Sequence, residues 1–425
     1  MNALLEHFNS PLARLLVQFL VIILATRAVG SIFARFGQPA VIGEITAGIL
    51  LGPSLFGWVW PGASAFIFPK ESLGVLQLIS QIGVCVFMFV VGLELDPMHL
   101  RQKARAAVVI SNVGIIVPFV LGVAASLWLH PMFAASRTNF ITFALFMGTA
   151  MSITAFPVLV RILKDRGLMK TPLGSLAIAC AAVGDASAWT MLALVVAIAR
   201  ATGLAPTFFN LGLVVVFVAL MLFVVRPRLT RWLRVDELDA SLGRSAVATA
   251  LIFMTVSALL TEIMGIHALF GAFLAGVVMP ESKAFRDGLT LQLENFSSVF
   301  LLPLFFAFSG LRTHLGLLND LNSWLVCAGI IAIAMLGKFG GSMLAARFMG
   351  MNWNESFALG ALMNTRGLVE LIALNIGYDL GILPPLIFTM MVLMALATTF
   401  MAGPLLNLAG GRHCSHSARE PVSTT

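Results

Sequence analysis

Two charged residues lie within long apolar segments of the chain. Asp185 lies in the segment 181–189, and Lys338 lies in the segment 337–341. A charge at the centre of a bilayer costs about 2.5–3.5 kcal/mol on insertion scales, so each of these residues needs a physical reason. A buried carboxylate binds a cation or a proton, and a buried lysine supplies a counter-charge or a proton. The two residues therefore indicate an ion site.

Each of the two residues also has a structural alternative. The Asp185 carboxylate would then be bonded to a Ser or Thr of a neighbouring helix. The Lys338 ammonium would extend to the membrane surface, because its helix is expected to end near Arg347, about two turns away. For both residues the pattern favours the functional interpretation.

Two segments combine polar residues with helix breakers at membrane depth, 152–157 and 363–370. Pro157 lacks a backbone donor, and Gly367 weakens the second helix. Unwound backbone inside a membrane is tolerated only where it is buried in protein or lines a cavity, and half-helix ends can bind ions there. The candidate supporting residues are Ser152, Thr154, Asn364, Thr365, Arg366 and Glu370. The alternative is a simple proline kink plus an Arg366–Glu370 pair at i, i+4 that neutralises itself.

Three other polar residues are more simply explained by structure. Glu44 is expected to serve helix packing or to pair with a basic residue. Glu262 and His267 lie near a predicted helix boundary and are expected to be interfacial. The sequence contains no phosphate loop, nucleophile elbow or zinc signature, so we expect no enzyme activity and no cofactor, and an ion gradient as the energy source.

The composition requires that these residues lie in a membrane. Of 425 residues, 26 are Lys or Arg and 19 are Asp or Glu, so 11% are charged while 59% are hydrophobic. Soluble domains carry about 25% charged residues, so a soluble surface is not available here. This excludes a cytosolic enzyme, a disordered chain and a nucleic-acid-binding protein. The four cysteines lie far apart without metal-ligand spacing and are expected to be small packing residues.

The hydrophobic pattern predicts thirteen spans. Their approximate bounds are 14–33, 39–57, 72–93, 106–129, 139–163, 173–199, 207–225, 245–262, 266–280, 290–309, 323–346, 355–378 and 384–408. With thirteen spans, 18 basic residues lie on one side of the membrane and 4 on the other. The positive-inside rule then places the N-terminus outside and the C-terminus in the cytoplasm. Residues 1–409 form one transmembrane domain, and 410–425 are expected to be a short disordered cytoplasmic tail.

An internal repeat relates the second and third spans to the ninth and tenth. The second span contains Gly43, Gly48 and Pro53, and the ninth contains Gly271, Gly276 and Pro280 at similar spacing. The third and tenth spans end in equivalent pairs, Gly92-Leu93 and Gly310-Leu311. The copies are seven spans apart and therefore inverted in the membrane, which is typical of secondary transporters.

Four motifs together resemble monovalent cation:proton antiporter family 2. They are the stretch from Gln38-Pro39 through Gly52-Pro53, the stretch 92–96, Phe305 through Thr313, and Asn364 through Leu371. The resemblance covers about 30–405, and the last motif is most similar to the plant and fungal cation/proton exchangers.

The resemblance implies an all-α sodium/proton antiporter fold with two broken, crossing helices. The dimerisation part would comprise 14–93 and 245–309, and the ion-carrying core 106–199 and 323–408. Asp185 corresponds to the aspartate that binds the transported Na⁺ or K⁺ and the proton. Lys338 corresponds to the lysine that faces this aspartate, and Ser152, Thr154, Asn364 and Thr365 lie on the unwound stretches.

One position departs from the family pattern. Members usually carry Asp or Asn immediately before the key aspartate, and here the residue is Gly184. An Asp there would pair with the lysine, so Lys338 must pair with Asp185, become neutral or be held by another group. The departure leaves the stoichiometry open between one and two protons per cation.

The sequence as a whole predicts a homodimeric, inner-membrane exchanger of Na⁺ or K⁺ against protons that works by alternating access. Two alternatives remain at this point: the membrane part of a gated cation efflux channel, and a transport-inactive ion sensor or scaffold.

Overall fold

The computed structural model describes residues 10–94, 104–134, 138–169, 171–200, 204–232, 244–265, 267–280 and 282–409. The predicted cytoplasmic tail, Asp96 and the basic residues at 101 and 103 lie outside these ranges. The described chain forms twenty α-helices with a few π-helical or 3₁₀ turns. They are α1 Pro11–Arg35, α2 Ala40–Leu51, α3 Phe56–Val59, α4 Pro61–Ile67, α5 Lys70–Glu94, α6 Ala104–Leu129, α7 Phe140–Ser152, α8 Phe156–Asp165, α9 Pro172–Arg200, α10 Leu204–Ala219, α11 Arg226–Trp232, α12 Arg244–Ile263, α13 Ala268–Val277, α14 Lys283–Phe296, α15 Leu302–Leu311, α16 Leu321–Met335, α17 Gly341–Phe348, α18 Trp353–Met363, α19 Leu368–Asp379 and α20 Pro385–Leu408.

All thirteen predicted segments are helical, but they do not all have the length of a span. Eleven helical runs are long and apolar enough to cross a membrane, and α18 with α19, bent by 42°, makes a twelfth. The ninth segment, predicted at 266–280, is α13 with ten residues. Such a helix is about 15 Å long, half of the roughly 30 Å hydrocarbon layer. The expected count of thirteen is therefore reached only if this short buried helix is counted.

The chain divides into two compact units. The first comprises Met1–Arg27, Glu44–Asp96 and Trp189–Leu311. The second comprises Ala28–Gly43, Pro97–Ala188 and Arg312–Thr425, and contains both predicted breaks as well as Asp185 and Lys338. Which part carries ions and which part would dimerise stays a prediction.

Within the first unit, the glycines of the predicted repeat mark two close helix crossings. Gly276 of α13 lies against α5 so closely that an added Cβ would be 2.1 Å from the Phe89 carbonyl oxygen and 2.9 Å from the Gly92 Cα. Gly310 of α15 lies against α2, where an added Cβ would be 2.3 Å from the Gly48 carbonyl carbon. Because Gly48 corresponds to Gly276 and Gly92 to Gly310, each crossing joins one copy of the repeat to the other. This reciprocal pairing is the contact pattern of an internal twofold repeat.

Candidate ion-binding site

The fifth predicted span is broken between Ser152 and Phe156. Ile153 and Ala155 have extended backbone, with φ −67° and ψ 138°, and φ −86° and ψ 93°. Pro157 occupies the first turn of α8, where its missing N–H leaves no helical bond unmade. The predicted proline break is thus the start of a second half-helix.

The twelfth predicted span is broken between Met363 and Leu368. Gly367 has φ 152° and ψ −120°. Residues with a side chain rarely adopt this backbone conformation, so glycine is required here. The two half-helices α18 and α19 meet at 42°. Both predicted breaks are therefore present.

The two breaks are hydrogen-bonded to each other. The Ala155 backbone N–H donates to the Thr365 carbonyl at 3.0 Å. The Thr154 hydroxyl donates to the Met363 carbonyl at 3.3 Å. The unwound stretches thus satisfy part of each other's backbone, as a membrane interior requires.

Two cationic side chains cap the carboxyl end of half-helix α7. The Lys338 ammonium donates to the Ser152 carbonyl at 2.5 Å. The Arg366 guanidinium donates to the Ala150 carbonyl at 3.1 Å and to the Met151 carbonyl at 2.7 Å. The last carbonyls of a helix lack intrahelical partners and carry the negative end of its dipole, so cations stabilise them. Lys338 is fully buried, which contradicts the interpretation of a lysine that reaches the membrane surface.

Arg366 and Glu370 form the ion pair that their spacing suggested. The guanidinium and the carboxylate are 3.0 Å apart, and both side chains are completely buried. The pair does more than balance its own charges, because the same guanidinium also donates hydrogen bonds to the carbonyls of Ala150 and Met151. Arg366 is thus a link between the two broken helices.

Sequence reasoning overlooked Thr399 on α20. Its hydroxyl accepts from the Arg366 backbone N–H at 2.9 Å and lies 2.8 Å from two carbonyl acceptors, that of Arg366 and that of Ala395 on its own helix. The carbonyl of the preceding residue, Thr398, accepts from the Asn364 side-chain amide at 3.5 Å. A Thr-Thr pair in a long apolar helix at residues 398 and 399 is the signal that the sequence offered.

Asp185 lies in α9 with no exposed surface. Within the described residues, no side chain bonds either carboxylate oxygen, and the Asn364 amide oxygen is likewise buried and unpartnered. The Phe156 backbone N–H acts on the Asp185 carboxylate as a hydrogen-bond donor, and the Lys338 ammonium acts on it through its charge. The alternative that Asp185 is bonded to a hydroxyl of a neighbouring helix is therefore not what the structure shows.

The remaining candidate oxygens belong to Ser152, Thr154 and Thr365. Their hydroxyl hydrogens are used for carbonyls: Ser152 donates to Gly148 at 2.8 Å, and Thr365 donates to Leu362 at 2.8 Å. The hydroxyl oxygens keep lone pairs, and oxygen lone pairs are what hard cations bind. With the Asp185 carboxylate, these oxygens can act as ligands of one desolvated cation, and the carboxylate can instead hold one proton.

Glu262 and His267 lie in the first unit, at the amino end of α13. Glu262 accepts from the Ala268 backbone N–H at 2.8 Å, and His267 accepts from that of Leu269 at 3.4 Å. They cap a helix, which is a structural role for both residues, and a place at the membrane interface stays a prediction. Glu44 is half-buried on α2 in the same unit.

Comparison with known proteins agrees with this geometry. Residues 19–409 match the model of the family described as "Sodium/hydrogen exchanger, transmembrane". The Na⁺/H⁺ antiporter NhaS4 of Synechocystis is 46% identical over 399 residues, which cover 94% of this chain and 97% of that protein. Cation/H⁺ antiporter 17 of Arabidopsis thaliana is 40% identical over 95% of this chain, which spans about half, 48%, of that longer protein.

A similar fold is known from a solved structure. The sodium proton antiporter MjNhaP1 of Methanocaldococcus jannaschii superposes with a TM-score of 0.63, at 14% sequence identity, over 95% of this chain and 99% of that one. At this identity the likeness concerns the fold. The family match over most of the chain and the two joined broken helices lead to one conclusion: the chain belongs to the sodium/hydrogen exchanger family of multi-pass membrane cation:proton antiporters.

Proposed function

We propose that this protein exchanges Na⁺ or K⁺ for protons by alternating access, with both ions competing for Asp185. The observation that carries the proposal is a fully buried carboxylate without a side-chain hydrogen-bond partner in the described residues, near the amino end of half-helix α8 and the Lys338 ammonium. An ionised carboxylate in such a place needs a bound cation, and an empty one needs a proton. Occupancy by either ion excludes the other, which couples the two fluxes.

Lys338 holds positive charge close to this carboxylate and anchors the end of α7 at the same time. In the proposed cycle it keeps the site electrostatically balanced while no cation is bound. The distribution of basic residues supports an N-terminus outside and a C-terminus in the cytoplasm, and the inner membrane is the proposed location. A homodimer is the expected assembly, through the part at 14–93 and 245–309.

The test is cation-induced proton efflux from proteoliposomes, with Na⁺ and K⁺ supplied separately. Wild type is compared with Asp185→Asn, which keeps the size of the side chain and removes its charge. Asp165→Asn is the matched control, because Asp165 is an exposed carboxylate in a surface ion pair with Arg161. We expect exchange in wild type and in the control, and none in Asp185→Asn.

Three results would speak against the proposal. Wild type without exchange of either ion between about pH 6 and 9 would contradict antiport and favour an ion sensor. Cation flux that continues without a proton gradient would indicate a channel. Full activity of Asp185→Asn would place the site elsewhere. Clamping the membrane voltage with an ionophore then reports whether one or two protons move per cation.

A further inference from the structure

Ser111 on α6 carries a buried hydroxyl for which the described part of the chain provides no partner. Its side chain has no exposed surface, and its Oγ makes no hydrogen bond within the described residues. Ser126 on the same helix bonds to the Gly122 carbonyl one turn earlier at 2.8 Å, whereas Ser111 shares its lack of a partner with Ser342 and Ser356 among the described residues. A buried polar atom without a partner needs an explanation, and a bound ion or water is the usual one.

The position of Ser111 relates it to the residue that departs from the family pattern. A Cβ built on Gly184 would lie 3.4 Å from the Ser111 Oγ. The hydroxyl therefore stands where a side chain at position 184 would point. Position 184 directly precedes Asp185, and consecutive Cα atoms are only about 3.8 Å apart. The hydroxyl therefore lies beside the residue that precedes the carboxylate on α9, within reach of a hydrated ion in the proposed site.

We propose that Ser111 is an oxygen ligand of the cation site, acting directly or through one water. It supplies from α6 the polar group that Gly184 does not supply from α9. The proposal rests on the proposed exchange at Asp185 and names a further residue of that site. A monovalent cation leaving water needs several oxygen ligands, and the Ser111 hydroxyl would add one to the Asp185 carboxylate, the Asn364 amide oxygen and the hydroxyls of the two breaks.

The first experiment compares Ser111→Ala with wild type in the proteoliposome assay. We expect the apparent KM for the cation to rise about tenfold, the value of one good hydrogen bond or ligand contact, with the maximal rate retained. The melting temperature without cation should not fall, because the hydroxyl makes no bond in the empty protein. Ser126→Ala is the matched control on the same helix and should leave the KM unchanged.

A second-site rescue separates a ligand from a packing role. Gly184→Ser in the Ser111→Ala background returns a hydroxyl to the same space from the opposite helix, and should restore the KM to within about threefold of wild type. Gly184→Ala in that background adds only the Cβ, which has room at 3.4 Å, and should restore nothing. Equal recovery with alanine would overturn the proposal, as would an unchanged KM in Ser111→Ala.

Direct binding keeps this test independent of transport. Bound cation stabilises the folded protein by RT ln(1 + [L]/Kd) and so raises its melting temperature. The cation concentration that gives a chosen rise in melting temperature should be about tenfold higher for Ser111→Ala. If wild type shows the shift without exchange, the proposed function fails while the role of Ser111 is still measured. If wild type and Ser111→Ala shift at the same concentration, Ser111 is not a ligand.

Discussion

The Lys338 ammonium donates a hydrogen bond to the Ser152 carbonyl at 2.5 Å, although the two residues are 186 positions apart. Ser152 is the last residue of half-helix α7, and Arg366 bonds the two carbonyls before it. All three carbonyls are inside the protein, where water does not replace a lost partner. The lysine expected to face an aspartate is therefore also a structural cap for a broken helix.

Lys338→Met should lower both stability and exchange. The substitution keeps the length and removes the donor, so the Ser152 carbonyl becomes a buried acceptor without a partner, at a cost of about 1–3 kcal/mol. Thermal unfolding of the purified protein in detergent measures this loss. Lys164→Met, at an exposed lysine of α8, is the control. A melting temperature equal to wild type would show that the cap is dispensable.

Arg366→Gln should destabilise the protein more than Glu370→Gln. Removing one partner of a buried ion pair lowers the stability by about 3–5 kcal/mol. Only the loss of Arg366 also leaves the Ala150 and Met151 carbonyls without their hydrogen-bond donor. The double variant restores charge balance without restoring these bonds, so it should remain close to Arg366→Gln. The comparison is a double-mutant cycle on thermal stability. Recovery of wild-type stability in the double variant would indicate a pair that merely neutralises itself.

Thr399→Val should disturb the twelfth span, whereas Thr398→Val should have little effect. Valine keeps the shape but removes the hydroxyl that bonds both the N–H and the carbonyl of Arg366. The expected loss is about 1–3 kcal/mol, with a lower maximal exchange rate. The Thr398 hydroxyl bonds only carbonyls of its own helix, Met394 and Ala395, which makes it a neighbouring control. Equal effects of the two substitutions would refute the special role of Thr399.

Gly276→Ala and Gly310→Ala should both prevent close helix packing. The added methyl groups would meet backbone atoms at 2.1 Å and 2.3 Å, so the helices must separate. Overpacking of this kind costs about 1–3 kcal/mol or more. At Gly329, in the middle of α16, no atom lies within 4 Å of an added Cβ, so Gly329→Ala should be neutral. Yield and melting temperature of the purified variants report the difference, and a well-packed, stable Gly276→Ala would contradict the reading of the crossing.

The amino-acid sequence by itself determined where the helices lie and which residues cost free energy when they are buried. Charge is so scarce that only a membrane accommodates the chain, and the length of each apolar run predicts a helix. Asp185 and Lys338 stand out because their neighbours are apolar. Pro157 and Gly367 mark the breaks because their backbone chemistry does not depend on distant contacts. The glycine repeat was visible because close approach of two helices tolerates few other residues.

Only the tertiary structure decided what these groups touch. That Lys338 bonds a main-chain carbonyl depends on a contact between residues 186 positions apart, which no local pattern encodes. The same holds for Arg366. Its ion-pair partner at i, i+4 can be read from the sequence, whereas its hydrogen bonds to the carbonyls of α7 cannot. Ser111 and Thr399 look like ordinary helical hydroxyls in the sequence, because a hydroxyl can always bond its own helix. Their significance comes from the helix that packs against each of them, and packing is a property of the whole fold.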